Sequence, residues 1–121
     1  MYIVMNDNNK KYADQLAVQM RKGLLVYCAL QICNRTGGSS SSEIIDRLRE
    51  SSLLVVEGTM YPLLNRLQKD GLLTHSWKES SQGPPRKYYH ISPMGTAVLA
   101  ELQTTSNQLQ HAIKSLETEE K

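Results

Sequence analysis

The sequence predicts a mainly α-helical chain with a small β-hairpin, arranged as a helix-turn-helix followed by a wing and flanked by helices at both ends. Three observations carry this expectation. Met60, Leu63, Leu64 and Leu67 fall at i, i+3, i+4 and i+7, the apolar stripe of an amphipathic helix, and Gly71 follows where such a helix would end. Two strand-like runs, residues 72–79 and 86–91, enclose the turn chemistry of SSQGPP. Finally, Leu99, Leu102, Ser106, Leu109, Ile113 and Leu116 alternate between a and d positions of a heptad, the seam of a helix that packs against a partner.

Length and charge bound the reading. A chain of 121 residues is one domain with a modest core, helped by association with a second copy. The net charge is only +2, so any nucleic-acid site must come from local clustering of cations rather than from the field of the whole protein. No run of about 18 apolar residues is present and the N-terminus turns polar soon after Met5, so a soluble, cytoplasmic protein with no membrane association is expected. Cys28 and Cys33 lack both C-x-x-C spacing and a metal-ligand neighbourhood. They read as buried, reduced thiols, with no basic cluster to activate them for redox sensing.

In chain order, residues 8–20 form a helix with Tyr12, Leu16 and Met20 four residues apart, a stripe that needs a partner surface. After Arg21-Lys22-Gly23 comes a strongly apolar helix, LLVYCALQIC, central to the core. The stretch NRTGGSSSS is low in complexity and reads as a mobile loop or turn. Ser40 and Glu43 then form a capping-box signature before Ile44, Ile45 and Leu48, predicting a helix over residues 41–50. The following SSLLVV fits either a short strand pairing with the wing or an extended, core-packed connection.

The third helix starts between Glu57 and Thr59, which keeps Pro62 within or near its first turn, where a missing N–H is tolerated. Gly58, Thr59 and Tyr61 then stand at the helix start, with orphan N–H donors beside a hydroxyl and a phenol, a combination suited to phosphate. Asn65, Arg66, Gln68 and Lys69 lie mainly off the apolar stripe. In the hairpin, Arg86 and Lys87 open the second strand and Lys78 lies on the facing one, giving the wing a basic tip. Ser92-Pro93 starts the last helix, serine as N-cap and proline at the first helical position. The tail ETEEK is acidic and frayed.

EGTMYPLLNRLQKDGLL followed by GPPRKYYHISPMG resembles the PadR family of bacterial winged helix-turn-helix transcriptional regulators, and the likeness runs from about Arg21 to the end. The family pattern is roughly G-T-(apolar)-Y-P-x-L-x-R-L-x-x-x-G followed by two apolar residues, then a basic wing carrying R-K-Y-Y. The resemblance implies the repressor role; the residues themselves support binding of double-stranded DNA and a homodimer, and a two-fold homodimer calls for an inverted-repeat operator. Expected DNA-binding residues are Gly58, Thr59, Tyr61, Asn65, Arg66, Lys69, Arg86 and Lys87. Expected dimerisation residues are Tyr12, Leu16, Leu99, Leu102, Leu109, Ile113 and Leu116. The chain then divides into an N-terminal, dimer-supporting helix (1–20), a winged helix-turn-helix domain (21–92) and a C-terminal dimerisation helix (93–121). Some short members bind flat, hydrophobic drugs between tryptophans on the C-terminal helices. Here residues 93–121 contain no aromatic residue and Ser106 stands where one is expected, which argues against that kind of drug sensing and leaves any small-molecule effector unknown.

Enzyme chemistry finds little footing. There is no Gly-rich phosphate loop and no G-x-S-x-G, and His75, His90 and His111 belong to three different elements. No catalytic residue, metal or cofactor is expected. Trp77 reads either as packing of the wing onto the C-terminal helix or as a wall of a ligand site. The alternative to DNA binding is a winged-helix module that uses the same wing to bind protein.

Overall fold

The computed structural model describes residues 6–53 and 57–118. Among these residues four helices and three strands follow in the order α1 (Asp7–Thr36), β1 (Ser39–Ser40), α2 (Ser41–Glu50), α3 (Glu57–Lys69), β2 (Leu73–Ser80), β3 (Gly83–Ile91) and α4 (Pro93–Thr118). The strands form one antiparallel sheet in the order β1-β3-β2. The mainly α architecture with a β-hairpin wing is the one the sequence predicts.

The two expected N-terminal helices are one. α1 continues through Arg21-Lys22-Gly23 for 30 residues, a rod of roughly 45 Å. Gly23 weakens a helix without stopping it, and nothing lies within 4 Å of where its Cβ would stand. Asn6 caps the start by accepting the Asn9 N–H, and left-handed Gly37 closes the end. Leu25, Ala29, Leu30 and Cys33 carry the buried face, whereas the first half, with Tyr12, Leu16 and Met20, is exposed.

NRTGGSSSS is not one loop. Asn34–Thr36 completes α1, and Ser39 and Ser40 form β1, buried and paired with Tyr89 and Tyr88 of β3. Composition misleads here because polar serines supply a strand through backbone bonds and satisfy their hydroxyls locally, Ser39 Oγ lying 2.7 Å from Thr36 Oγ1. Ser40 also caps α2 in the expected capping box, its Oγ accepting from the Glu43 N–H while its own N–H reaches Glu43 Oε1. Among the described residues the sheet's third strand comes from these serines. In that connection Leu53 packs on the core and residues 54–56 lie outside the described ones.

α3 packs on α2 and β2 and buries Met60, Leu64 and Leu67 in the core that also holds Ile44, Ile45 and Leu48 of α2 and Leu30 of α1. α3 starts at Glu57, within the expected range, and Pro62 falls just past its first turn, staying helical at the cost of one backbone bond, the one its missing N–H would have made to the Gly58 carbonyl. The C-terminal stop is as expected. Gly71 is left-handed at φ 88°, with Leu72 N donating to Leu67 O and Gly71 N to Gln68 O, the paired bonds of a Schellman motif.

In the hairpin, Gly83, Pro84 and Pro85 belong to β3 and only Ser81 and Gln82 form the turn, so SSQGPP is shorter as a turn than the sequence predicts. A register shift between Lys78 and Ser80 sets Pro84 and Pro85 opposite Glu79. Prolines are tolerated there because β1 does not reach this end of β3, and a bulge needs fewer ladder bonds.

Ser92 caps α4 as expected, Oγ accepting from the Gly95 N–H at 2.9 Å while its hydroxyl donates to the Gly71 carbonyl at 2.6 Å. The heptad seam divides. Leu99 is 6% exposed in the chain's own core, Leu102 packs beside it and Ser106 is buried, whereas Leu109, Ile113 and Leu116 are exposed. The first half of the seam is thus covered by α1 of the same chain, where Tyr27 Oη donates to Gln103 Oε1 at 2.7 Å.

A methyl group at Gly95 would collide with the Leu72 carbonyl oxygen and meet Ile91 Cγ1 at 2.8 Å. Gly95→Ala should destabilise the fold by roughly 1–3 kcal/mol, whereas Gly23→Ala in open helix should stabilise it by about 0.5–1 kcal/mol. Urea unfolding of both variants checks the opposed signs.

Candidate nucleic-acid interface

α3 and the hairpin stand side by side, joined through Asp70, Gly71 and Leu72. Gln68 Nε2, in the last turn of α3, donates to His75 Nδ1 on β2 at 2.7 Å and ties the wing's base to the helix. On α3 every residue predicted to bind DNA turns outward: Gly58, Thr59, Asn65, Arg66 and Lys69 are exposed, and Tyr61 is 43% exposed. Opposite them lie Met60, Leu64 and Leu67, so the division into an apolar and a polar face follows the sequence period. Arg66 Nε stands 3.8 Å from Asp70 Oδ2, both side chains well exposed. Such a pair is weak and leaves the guanidinium free to exchange partners.

The wing gathers three cations around two tyrosines. Lys78 and Arg86 are cross-strand partners, with Lys78 Nζ 4.7 Å and Arg86 Cζ 5.9 Å from the Tyr88 ring centroid. Lys87 Nζ sits 5.0 Å from the centroid of Tyr89, which is buried. Cation–π contacts of this kind hold long, flexible side chains near one position without neutralising them.

Arg86 has a second attachment that sequence reasoning missed. Its Nη2 donates to Ser40 Oγ at 3.0 Å and to Ser42 Oγ at 2.9 Å, linking the wing to the start of α2. The only signal for it was the serine run itself, which read as a loop. His90 makes a further tie: its Nδ1 donates to the Gly37 carbonyl at 3.0 Å, which leaves Nε2 to accept from Ser76 Oγ at 2.7 Å. His111 is exposed on α4.

Trp77 does not pack the wing onto the C-terminal helix. It is 62% exposed, its indole in a T-shaped contact with His75 with centroids 6.2 Å apart. Two grooves lie elsewhere on the chain. One, of about 480 Å³, lies between α2 and the wing, with the carboxylates of Glu43, Asp46 and Glu50 and the cations Arg47 and Lys78 on its walls. The other, of about 510 Å³, runs between α1 and α4 and is lined mostly by apolar side chains, among them Met20, Leu24, Leu109 and Ile113. Among the described residues there is no group of three or more His, Cys, Asp and Glu side chains placed to hold a metal, and no helix is long and apolar enough to cross a membrane.

The chain is similar to known regulators. The family model described as Transcriptional regulator PadR-like family matches residues 30–101. A PadR-like transcription factor from Bacteroides fragilis is 43% identical, with 84% of this chain and 98% of that one covered, at a TM-score of 0.69. A PadR-like transcriptional regulator from Bacillus cereus is 35% identical over 84% of this chain and 99% of that one, at a TM-score of 0.75. A PadR family regulator from Eggerthella lenta, 23% identical, shares the fold at a TM-score of 0.81, with 95% and 100% of the chains covered. An uncharacterized protein from Lysinibacillus sphaericus is 36% identical over 69 residues, which are 57% of this chain and 62% of that relative.

The two thiols lie away from this surface. Both cysteines are free, Cys33 buried and Cys28 half-buried on α1. Burial pushes the Cys33 thiol up from 9.0 to about 11, and moves Cys28 in the same direction. The fold favours the neutral thiol, so Cys33's contribution to stability is complete below pH 9.0 and is lost as the pH rises through about 11. At pH 8 a thiol-reactive probe should modify Cys33 only after unfolding, and Cys28 sooner. Equal labelling of Cys33 in native and urea-unfolded protein would contradict this.

Proposed function

The chain belongs to the PadR-like family of transcriptional regulators, and on that premise we propose that it represses transcription by binding an inverted-repeat operator as a homodimer. The observation that carries the reading is the outward polar face of α3, from Thr59 and Tyr61 to Asn65 and Arg66, flanked by a wing bearing Lys78, Arg86 and Lys87. A helix with an apolar back and a polar front enters a major groove, and a basic hairpin beside it reaches the neighbouring phosphates or minor groove. In this reading Gly58 and Thr59 approach the backbone, Tyr61 donates its hydroxyl to phosphate, and Asn65 or Arg66 meets base edges. Lys69 and Lys87 add charge. Arg86 divides its donors between phosphate and the serines of α2.

The second half of the proposal is dimerisation. Leu109, Ile113 and Leu116 on α4 and Tyr12, Leu16 and Met20 on α1 are exposed apolar side chains at helical spacing. They support a surface that a second copy covers, while Leu99 and Leu102 back it from inside the chain. A two-fold axis would present two copies of α3 to successive major grooves, about 34 Å apart, and would call for an inverted repeat.

Gel-shift titration with the promoter region of the chain's own gene at two salt concentrations tests DNA binding. Affinity should fall steeply with salt, and Tyr61→Phe should weaken binding severalfold with the fold intact. Full affinity in Tyr61→Phe would remove the hydroxyl from the contact.

Sedimentation tests the interface. Leu109 is 52% exposed, and Leu109→Glu would bury a charge against a second copy, lowering association by roughly two orders of magnitude. A variant that still sediments as a dimer with full operator affinity would place the interface elsewhere.

A further inference from the structure

The hairpin leaves its largest side chain uncovered. A tryptophan usually buries about 150–250 Å², yet Trp77 is 62% exposed on a strand that shelters Leu73 completely. Side chains alternate along β2, so Leu73, His75 and Trp77 share one face. Leu73 sits in the core and His75 is bonded to Gln68 of α3, so this face turns toward α3. Asn65 and Tyr61 precede Gln68 by three and seven residues and fall on the same stripe of the helix.

The chain reverses at Gly71, and β2 packs on α3. Trp77 lies two strand residues, roughly 6.6 Å, beyond the Gln68–His75 tie toward the hairpin tip, on the face that turns to α3. Asn65 and Trp77 are both exposed, so α3 and the wing do not cover one another beyond the Gln68–His75 tie, and the open space between them is a notch.

We propose that this notch holds the sugar–phosphate backbone of one DNA strand, with the Trp77 ring lying against deoxyribose. The inference rests on the DNA binding proposed above. A helix in a major groove and a hairpin at the adjacent minor groove straddle the backbone that separates the two grooves. The notch is where that strand passes. Its chemistry matches: Lys87 is the cross-strand partner of Trp77, Lys78 and Arg86 follow toward the tip, and Glu79 is the only acid on β2. The flat ring covers the apolar face of the sugar, while Tyr61 Oη and Lys87 Nζ reach phosphate oxygens on either side.

Trp77 is the only tryptophan, so intrinsic fluorescence reports this ring alone. The full-length protein is titrated at low salt with its promoter fragment and with a random-sequence duplex, since a sugar contact does not depend on sequence. The emission should change and saturate with both duplexes. Trp77→Ala should lose roughly tenfold in affinity for both with the salt slope unchanged, because an apolar contact releases no counterion. Lys87→Ala should reduce the slope by about one. Circular dichroism of Trp77→Ala should match the parent. Unchanged emission on a duplex that gel shift shows to be bound overturns the proposal, as does full affinity in Trp77→Ala. Emission that shifts with protein concentration before DNA is added assigns the ring to a contact between copies, and also overturns it. Failure of the parent protein to bind either duplex removes the DNA-binding reading itself, and this inference with it.

Discussion

The three working parts of this chain meet at one small junction. Ser92 donates its hydroxyl to the Gly71 carbonyl and caps the Gly95 N–H, while its own N–H reaches the Leu72 carbonyl. Gly71 ends α3, Leu72 leads into the wing, and Gly95 lies in the first turn of α4. Gly95 has no side chain because the Leu72 carbonyl occupies that space. A buried hydroxyl with both roles satisfied and a backbone-to-backbone approach leave little freedom of angle. The direction of α4 relative to α3, and the root of the hairpin relative to both, are settled within a few residues.

The charge distribution follows from local ties rather than from the net charge. With only +2 overall, the chain has no strong general attraction for nucleic acid. The wing concentrates Lys78, Arg86 and Lys87 over Tyr88 and Tyr89, rings that hold cations without removing their charge. Arg86 also spans from the wing to Ser40 and Ser42, so the hairpin is anchored at both its base and its flank. That anchoring limits the motion of a two-stranded ribbon that is only marginally stable by itself.

Much of the fold was legible because its signals are local. The apolar period of α3, the Gly71 stop, the Ser40–Glu43 capping box and the Ser92-Pro93 start each depend on a few neighbouring residues, and each appears as expected. The candidate surface was legible for the same reason, since the face opposite Met60, Leu64 and Leu67 must be the outer one. What escaped depends on distant partners. Nothing in Arg21-Lys22-Gly23 says that the helix continues, because an isolated glycine weakens a helix without ending it. Nothing local tells Leu99, covered by α1 of its own chain, from Leu109, which is left exposed, though both keep the heptad. Arg86 reads as a free wing cation until Ser40 and Ser42 are brought beside it from 44 to 46 positions away.

The serine run has a consequence for how the chain finds its alignment. Four consecutive identical residues carry no register information of their own, and a slip by one would present the same chemistry to Tyr88 and Tyr89. The frame is kept from outside the run. On one side, Gly38 adopts φ +145° beneath the His90 ring, where a Cβ would lie 2.6 Å from Cε1, so only glycine fits there. On the other, Glu43 can close the capping box on a serine exactly three positions earlier and on no other. Two flanking residues thus index a stretch that is itself degenerate, and shortening or lengthening the run by one serine would set them against each other.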